Sequence, residues 1–459
     1  MADGHDAPLI MGIAGFGTVA SGLMHILREN RAEIEARTGR TVRVKSVLVR
    51  DLSKTRACPL PDGARLTRDA SDLLEDPEID VVVELIGGTR TAGDIVRRAL
   101  SAGKHVVTAN KALLAEQGKD IFALAAEKKL HLGYEASVCG AIPIIRTLRE
   151  ALAGDRIESV LGILNGTSNF ILSEMSDKGM DFAAALKEAQ SLGYAEADPV
   201  LDIDGRDAAH KLYLLIRLAW GAEYPYSAMP ICGITGVSPT DIRYAREFGC
   251  RIKLIAYARL HGKDPWNGGI EAGVCPALVH ESFLLARVEG AYNAVRAEGN
   301  AAGSVFLHGK GAGDLPTGSS VAADILDIAK GTPPDNSGFA HPHLPAPARI
   351  IAPHESFSPY YLRLKVADRP GVLRDMAAVL ADHAISLAQV VQKDDAAEPV
   401  PEAESRAVPL IMVTHRAPED GVSKAVDALA ASPFVHEKPV RFRVLTSKTG
   451  ALPNLRTKV

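Results

Sequence analysis

A glycine signature set between a strand and a helix constrains this chain more than any other feature. Leu9–Ile13 is a short apolar run, Gly15-Phe16-Gly17-Thr18-Val19-Ala20 follows it, and an apolar-periodic helix is expected from about Val19 to Arg28. This is G-x-G-x-x-A in its required setting. Gly15 suits the tight turn, Gly17 lets backbone approach a pyrophosphate, and Ala20 allows close helix–strand packing. The helix N-terminus favours phosphate charge. Gly15, Phe16, Gly17, Thr18 and Val19 are therefore the expected dinucleotide contacts. The alternative is a purely structural glycine turn. Val42–Val49 reads as the second strand, and Arg50 stands just past it, with Asp51 and Lys54 close by. An arginine there can accommodate a 2′-phosphate, which allows NADP as well as NAD; it can equally be a solvated strand-end charge. Asp80–Ile86, His105–Thr108 and Leu130–Glu135 are further strand signals. Strands alternating with helices predict a mostly parallel sheet. Lys111 lies just past the strand ending at Thr108, on the side where such sheets bind ligands. It is also simply a helix-start lysine.

The densest set of charges in an apolar setting is Gly193–Leu218. Glu196, Asp198, Asp202 and Asp204 share a loop with Pro199 and Gly205, and a helix is expected from about Arg206 to Trp220. Asp207 and Lys211 are i and i+4, hence neighbours on one helix face. Leu212, Tyr213, Leu215, Ile216 and Trp220 make that helix apolar almost all round, which argues for burial. An ordinary surface pair contributes little. A lysine in a partly dry site beside an orienting carboxylate can instead be tuned for proton transfer.

The 459 residues are enough for about three domains. A net charge of −4 gives no reason to expect nucleic acid or an anionic membrane as partner. There is no apolar run long enough to span a bilayer and no signal-peptide pattern, so a cytoplasmic protein is expected. The 5 cysteines are scattered without a CxxC, which favours free thiols over disulfides or zinc.

Asn165-Gly166-Thr167 is a turn signal between apolar runs. Residues 225–290 suggest an open sheet with helices on one face. His308–Val321 is glycine-rich and precedes an apolar helix, Val321–Ala329. Gly331–Pro359 is proline-rich and reads as a linker; its His341, His343 and His354 fit no metal-ligand spacing. From Tyr360 the order is β-α-β-β-α-β, a ferredoxin-like pattern, interrupted by an acidic insert over Lys393–Arg406. The expected division is residues 1–145 as a Rossmann-like domain with a return segment at about 305–330, and 146–304 as an α+β substrate and dimerisation domain. A linker over 331–358 and a small regulatory domain over 359–446 complete it.

Taken together and in this order, GIAGFGTVASG, VVVELIGG, GKHVVTANKALLA, YEASVCGAIPII, GILNGTSNFIL and GYAEADPVLDIDGRDAAHKL resemble homoserine dehydrogenase from about Gly12 to Ile328. DRPGVL resembles the start of an ACT domain, the small-molecule sensing module of amino-acid enzymes. The first resemblance implies NAD(P)-dependent interconversion of L-homoserine and L-aspartate 4-semialdehyde. It implies Lys211 as proton donor, Lys111 near the reacting oxygen, Asp207 orienting Lys211, and Glu196 and Asp202 on the substrate amino group. It also carries over Gly311 and Gly313 as cofactor contacts. A Na⁺ ion held by main-chain carbonyls of Glu135, Val138, Gly140 and Ile142 is implied as well. The family pattern there is alanine then two glycines, whereas this chain reads Cys139-Gly140-Ala141. The ACT resemblance implies threonine as feedback effector, and a homodimer or homotetramer is expected. A different ACT-linked dehydrogenase and a non-catalytic sensor are the alternative readings.

Overall fold

The computed structural model describes residues 7–339, 346–393 and 407–445. The expected α/β class is borne out in each part. The first sheet is β1 (Leu9–Ala14), β2 (Val42–Leu48), β3 (Arg65–Thr67), β4 (Val81–Glu84), β5 (His105–Thr108) and β6 (Leu132–Gly133), parallel throughout and ordered 3-2-1-4-5-6. Helices α1 (Thr18–Glu29), α2 (Arg90–Ser101) and α3 (Lys111–Lys128) connect the strands. The order reverses between β1 and β4, which opens the crevice where such sheets bind ligands. The strand expected over Leu130–Glu135 is only two residues long and gives way to a tight turn at Glu135–Ser137. Glu135 is drawn off the sheet because its buried carboxylate accepts the main-chain N–H groups of Ile145 (2.8 Å) and Arg146 (3.0 Å).

The second sheet starts with β7 (Ile157–Ile163), from which the chain turns into α4 (Gly166–Lys178) and α5 (Phe182–Ser191). Next come α6 (Arg206–Trp220), α7 (Pro239–Glu247), β8 (Cys250–Leu260), β9 (Ile270–His280), β10 (Tyr292–Gly299) and β11 (Gly303–Lys310). The long helix α8 (Asp314–Ala329) starts seven residues before the expected one, because Gly313 (φ +120°) lets the chain turn directly into it. It returns to the first sheet and crosses α1 backbone to backbone. A Cβ on Gly22 would lie 2.1 Å from the Asp314 carbonyl, and one on Gly318 would lie 2.7 Å from the Leu23 nitrogen.

The C-terminal part contains β12 (Tyr360–Ala367), α9 (Val372–Asp382), β13 (Leu387–Gln392), β14 (Ala407–Thr414), α10 (Glu419–Ala430) and β15 (Val440–Val444). Met376 and Leu380 of α9 and Val422, Ala425 and Leu429 of α10 bury against Leu362, Leu364 and Met412. This unit continues the second sheet: β15 runs parallel to β9, and the full order is β11-β10-β7-β8-β9-β15-β12-β14-β13. The proline-rich segment before it does not hang free. Glu223 N–H donates to Ala346 O, Ile270 N–H to Arg349 O and Ile351 N–H to Ile270 O, so the segment lies along the edge of β9. His341, His343 and the insert beyond Lys393 fall outside the described residues. Among the described residues no helix is long and apolar enough to cross a membrane.

Candidate active site

Three loops at the carboxyl ends of β1, β4 and β5 build the crevice. Gly15 has φ +99°, and a Cβ there would meet the Leu85 carbonyl at 2.6 Å, so only glycine fits. Gly17 faces open space, with nothing within 4 Å of the Cβ position. It is the N-cap of α1 and supplies no side-chain acceptor, which leaves the first-turn N–H groups available to an anion. An open glycine, an uncapped helix start and a topological switch point suit a dinucleotide pyrophosphate. Arg56 stands over the Phe16 ring at 6.0 Å, while Arg50 is exposed just beyond β2. Buried Glu84 accepts from Ile86 N–H (2.8 Å) and Thr108 Oγ1 (2.7 Å), tying the β4 loop to β5. Asn110 caps α3 by accepting from Leu113 N–H and donates to Gly88 O. Lys111 is thereby fixed as the first residue of α3, aimed across the crevice.

Opposite lies the start of α6. Asp207 is buried, and its two oxygens are divided between two lysines: Lys211 Nζ at 2.8 Å on Oδ2 and Lys111 Nζ at 2.9 Å on Oδ1. Asn165, the N-cap of α4, donates to Asp207 Oδ2 (2.8 Å) and to Asp202 Oδ1 (2.7 Å). Lys211 Nζ also donates to the Leu164 carbonyl at 2.6 Å. Burial alone would push the Asp207 carboxyl up, but the charges of Lys211 and Lys111 hold it well below the usual carboxylate range. Burial opposes the Lys211 charge, yet Asp207 outweighs it and the pKa ends above its ordinary value. Asp202 is raised by burial and then by the Asp207 charge.

Asn293, at the start of β10, is fully buried and donates to the same Leu164 carbonyl at 2.9 Å; its Oδ1 has no partner. Gly311 is pressed against it: a Cβ on Gly311 would lie 2.2 Å from Asn293 Cγ. Gly140 is pressed against Gly311 in turn, at 2.6 Å. Glu135–Ile142 reverses direction at Cys139 (φ +59°) and Gly140 (φ +55°), while Ala141 stays outside the left-handed region, so alanine suits this position. Gly140 O accepts from Ser320 Oγ (2.7 Å), Ile142 O from Ile144 N–H (2.8 Å) and Glu135 O from Val138 N–H (3.3 Å). Each carbonyl retains a second lone pair, so these bonds are compatible with a cation. The Glu135 carboxylate is used elsewhere, by Ile145, Arg146 and the Arg146 guanidinium.

The structure thus brings Lys111, Asp202, Asp207 and Lys211 together from separate elements. Glu196 is exposed; its carbonyl accepts from Gln190, and its carboxylate does not join this network. Asn165 was visible only as a turn residue, and its double role as cap and carboxylate bridge needs the fold. Asn293 carried no sequence signal.

Family models agree with this layout. Residues 15–135 match the homoserine dehydrogenase NAD-binding domain, 143–326 homoserine dehydrogenase, and 360–434 the ACT domain. The chain is 44% identical to the homoserine dehydrogenase of Neisseria gonorrhoeae over 439 residues, covering 94% of this chain and 97% of that one. A crystal structure of a homoserine dehydrogenase from Thiobacillus denitrificans superposes with a TM-score of 0.87 at 44% identity, over 96% of this chain and 99% of that one. A hyperthermophilic archaeal homoserine dehydrogenase in complex with NADPH gives a TM-score of 0.59 at 29% identity, over 71% of this chain and 99% of that one. The chain belongs to the homoserine dehydrogenase family and is an NAD(P)-dependent oxidoreductase of that activity.

Proposed function

We propose that the crevice interconverts L-homoserine and L-aspartate 4-semialdehyde, a step towards threonine and methionine, with Lys211 as the proton-transfer group. The observation that carries this reading is the Asp207 carboxylate shared between Lys211 and Lys111 at the mouth of the nucleotide crevice. An ammonium has three N–H donors. Asp207 and Leu164 O take two from Lys211, and the third serves the substrate oxygen. The nicotinamide, when bound, supplies or accepts the hydride at C4. In the direction of reduction Lys211 protonates the forming alkoxide; in oxidation its neutral form receives that proton. Lys111 adds a second positive charge near the same oxygen. Asp207 keeps Lys211 charged and oriented, and Asn165 holds Asp207. Asp202, with Glu196 from the exposed loop, binds the substrate ammonium.

Gly15, Phe16, Gly17, Thr18 and Val19 hold the dinucleotide, and Arg50 takes a 2′-phosphate. The archaeal relative with NADPH supports NADP use. Gly311 and Gly313 bring the return segment to the cofactor side. Carbonyls of Glu135, Val138, Gly140 and Ile142 hold a monovalent cation such as Na⁺, which adds positive charge near the site. The C-terminal ACT domain takes threonine as effector, and the chain acts as a homodimer or homotetramer. The test is an initial-rate assay with aspartate semialdehyde, NADPH against NADH, with and without threonine. Turnover favouring NADPH is expected. Folded, cofactor-binding protein without turnover would overturn the substrate assignment.

A further inference from the structure

Three neighbouring strands end beside the Asp207–Lys211 pair. β10 aligns Ala294 with Ile163 of β7 on one side and Asn293 with Gly309 of β11 on the other. This register sets Asn293 between Leu164, the residue after β7, and Gly311, the residue after β11. Asn293 is completely buried. Its Nδ2 donates to the Leu164 carbonyl at 2.9 Å, and Lys211 Nζ donates to the same oxygen at 2.6 Å. A carbonyl oxygen has two lone pairs, so these two donors occupy both. Asn293 Oδ1 accepts from no group among the described residues. A buried amide oxygen without a partner costs stability. Asn293 is therefore a poor stabiliser, and its N–H is directed at a carbonyl that already has a donor.

Behind this amide stands Gly311. A Cβ there would lie 2.2 Å from Asn293 Cγ, 2.3 Å from Oδ1 and 2.5 Å from Nδ2, so the three atoms nearest to it all belong to Asn293. The Gly311 backbone lies outside the left-handed region. Glycine is needed at this position for the space, not for the backbone angle. From the other side the turn at Gly140 holds the segment. A Cβ on Gly140 would meet Gly311 O at 2.6 Å, and Ala141 N–H donates to Lys310 O at 3.1 Å. The segment then enters α8, which crosses α1 of the nucleotide fold. On its remaining side Asn293 approaches α4: its Oδ1 lies 3.4 Å from where a Cβ on Gly166 would be. Gly166 follows Asn165, the bridge between Asp202 and Asp207.

We propose that Asn293 is a positioning residue for the reaction, and that it ties the return segment to the proton-transfer lysine. With Gly311 seated behind it, the Asn293 amide fixes the direction of the Leu164 carbonyl. That carbonyl and Asp207 take two of the three N–H groups of Lys211, so together they aim the third at the substrate oxygen. Were Lys211 its only donor, the Leu164 peptide could turn between the end of β7 and the start of α4, and the ammonium would turn with it. A group held in its reactive direction reacts faster than one that must find it. The inference rests on the reading of Lys211 as the proton-transfer group.

The test is a double-mutant cycle on the full-length enzyme with the wild type, N293A, G311A and N293A/G311A. It reads kcat, KM for aspartate semialdehyde, NADPH affinity by fluorescence titration, and the solvent deuterium isotope effect on kcat. N293A should lower kcat about fivefold with KM and NADPH affinity unchanged. G311A displaces the amide and should do the same. Because it acts through Asn293, the double variant should be no slower than N293A. The isotope effect should rise in all three variants, since a misdirected ammonium slows proton transfer relative to the other steps. A loss of stability alone would not move it. Losses that multiply in the double variant overturn the proposal, because Gly311 then acts on its own; an unchanged isotope effect overturns it as well. If G311A does not fold, N293S decides, since serine is too short to reach Leu164. Lower kcat with a raised isotope effect in N293S supports the proposal, and wild-type values overturn it. K211A is assayed alongside. A K211A as active as the wild type retires the Lys211 reading itself, whereas an inactive K211A with multiplying losses in the cycle retires only the role of Asn293.

Discussion

Two buried lysines of the second domain make an instructive pair. Lys211 on α6 is 8% exposed and Lys253 on β8 is 3% exposed. Both hydrogen-bond a main-chain carbonyl at 2.6 Å, Leu164 O in one case and Val288 O in the other. Their electrostatics are opposite. The second partner of Lys211 is a carboxylate, Asp207. That of Lys253 is the neutral amide oxygen of Asn169, at 3.2 Å. Burial lowers both pKa values, but Asp207 reverses the effect at Lys211, whereas Lys253 falls to about 8. Burial sets the cost of the charge, and the neighbouring carboxylate decides whether the charge stays. A proton donor needs the arrangement of Lys211. A structural tie between β8 and the Val288–Tyr292 turn can do with that of Lys253.

Removing Lys211 is the strongest way to break the comparison. Lys211→Ala should lower turnover by about 10³-fold or more, within the range for loss of a general acid, while dinucleotide affinity by fluorescence titration stays near wild type. Turnover within a few-fold of wild type would take Lys211 out of the chemistry. Asp207→Asn is the sharper and smaller cut. It removes the charge that raises the Lys211 pKa, so that pKa falls. The reduction needs protonated Lys211, so the alkaline limb of its pH–rate profile should move to lower pH, with about a tenfold to hundredfold loss of kcat. An unmoved limb would show that Asp207 only packs. Asn293→Leu should cost less, about fivefold in kcat, because one hydrogen bond to the Leu164 carbonyl is worth roughly 1 kcal/mol. KM should stay nearly constant; a rise in KM with kcat intact would place Asn293 in substrate binding instead.

What could be read in advance follows the same division. Asp207 and Lys211 are one helical turn apart, so their pairing and burial were legible from periodicity alone. The glycine turn at Gly15–Gly17 was legible because strand, turn and helix are contiguous. Lys253 lies in the apolar run Cys250–Leu260 and looks there like an outward-pointing strand residue. Only its packing against Asn169, 84 positions away, shows otherwise. Asn293 reaches Leu164 across 129 positions. The second glycine-rich turn shows the limit most clearly. Gly17 is open to a ligand, whereas Gly311 is required to make room for Asn293. Composition alone does not separate those two reasons for a glycine. The continuity of the C-terminal unit with β9 was likewise hidden, since it rests on a two-residue pairing between segments about 166 positions apart in register, Ala277 and Arg443.

The mildest prediction tests the other half of the pair. Lys253 has a folded pKa of about 8 against an ordinary value of 10.5. Between those two values the unfolded chain binds more protons than the folded one, so this residue makes stability rise with pH across the window. Below about pH 8 the full penalty of the buried ammonium remains. The span of the shift corresponds to roughly 3 kcal/mol as an upper figure, because local opening and water entry relieve part of it. Lys253→Met keeps the buried stem and removes the titration. Its activity at neutral pH should be close to wild type, since the Lys253 ammonium bonds Asn169 and Val288 O and is not part of the Asp207 network. Its urea-unfolding stability should lack the wild-type rise from pH 8 to 10.5. Parallel pH–stability curves for the two proteins would mean that Lys253 stays charged in the folded state, and that burial without a carboxylate is better compensated here than the contrast with Lys211 implies.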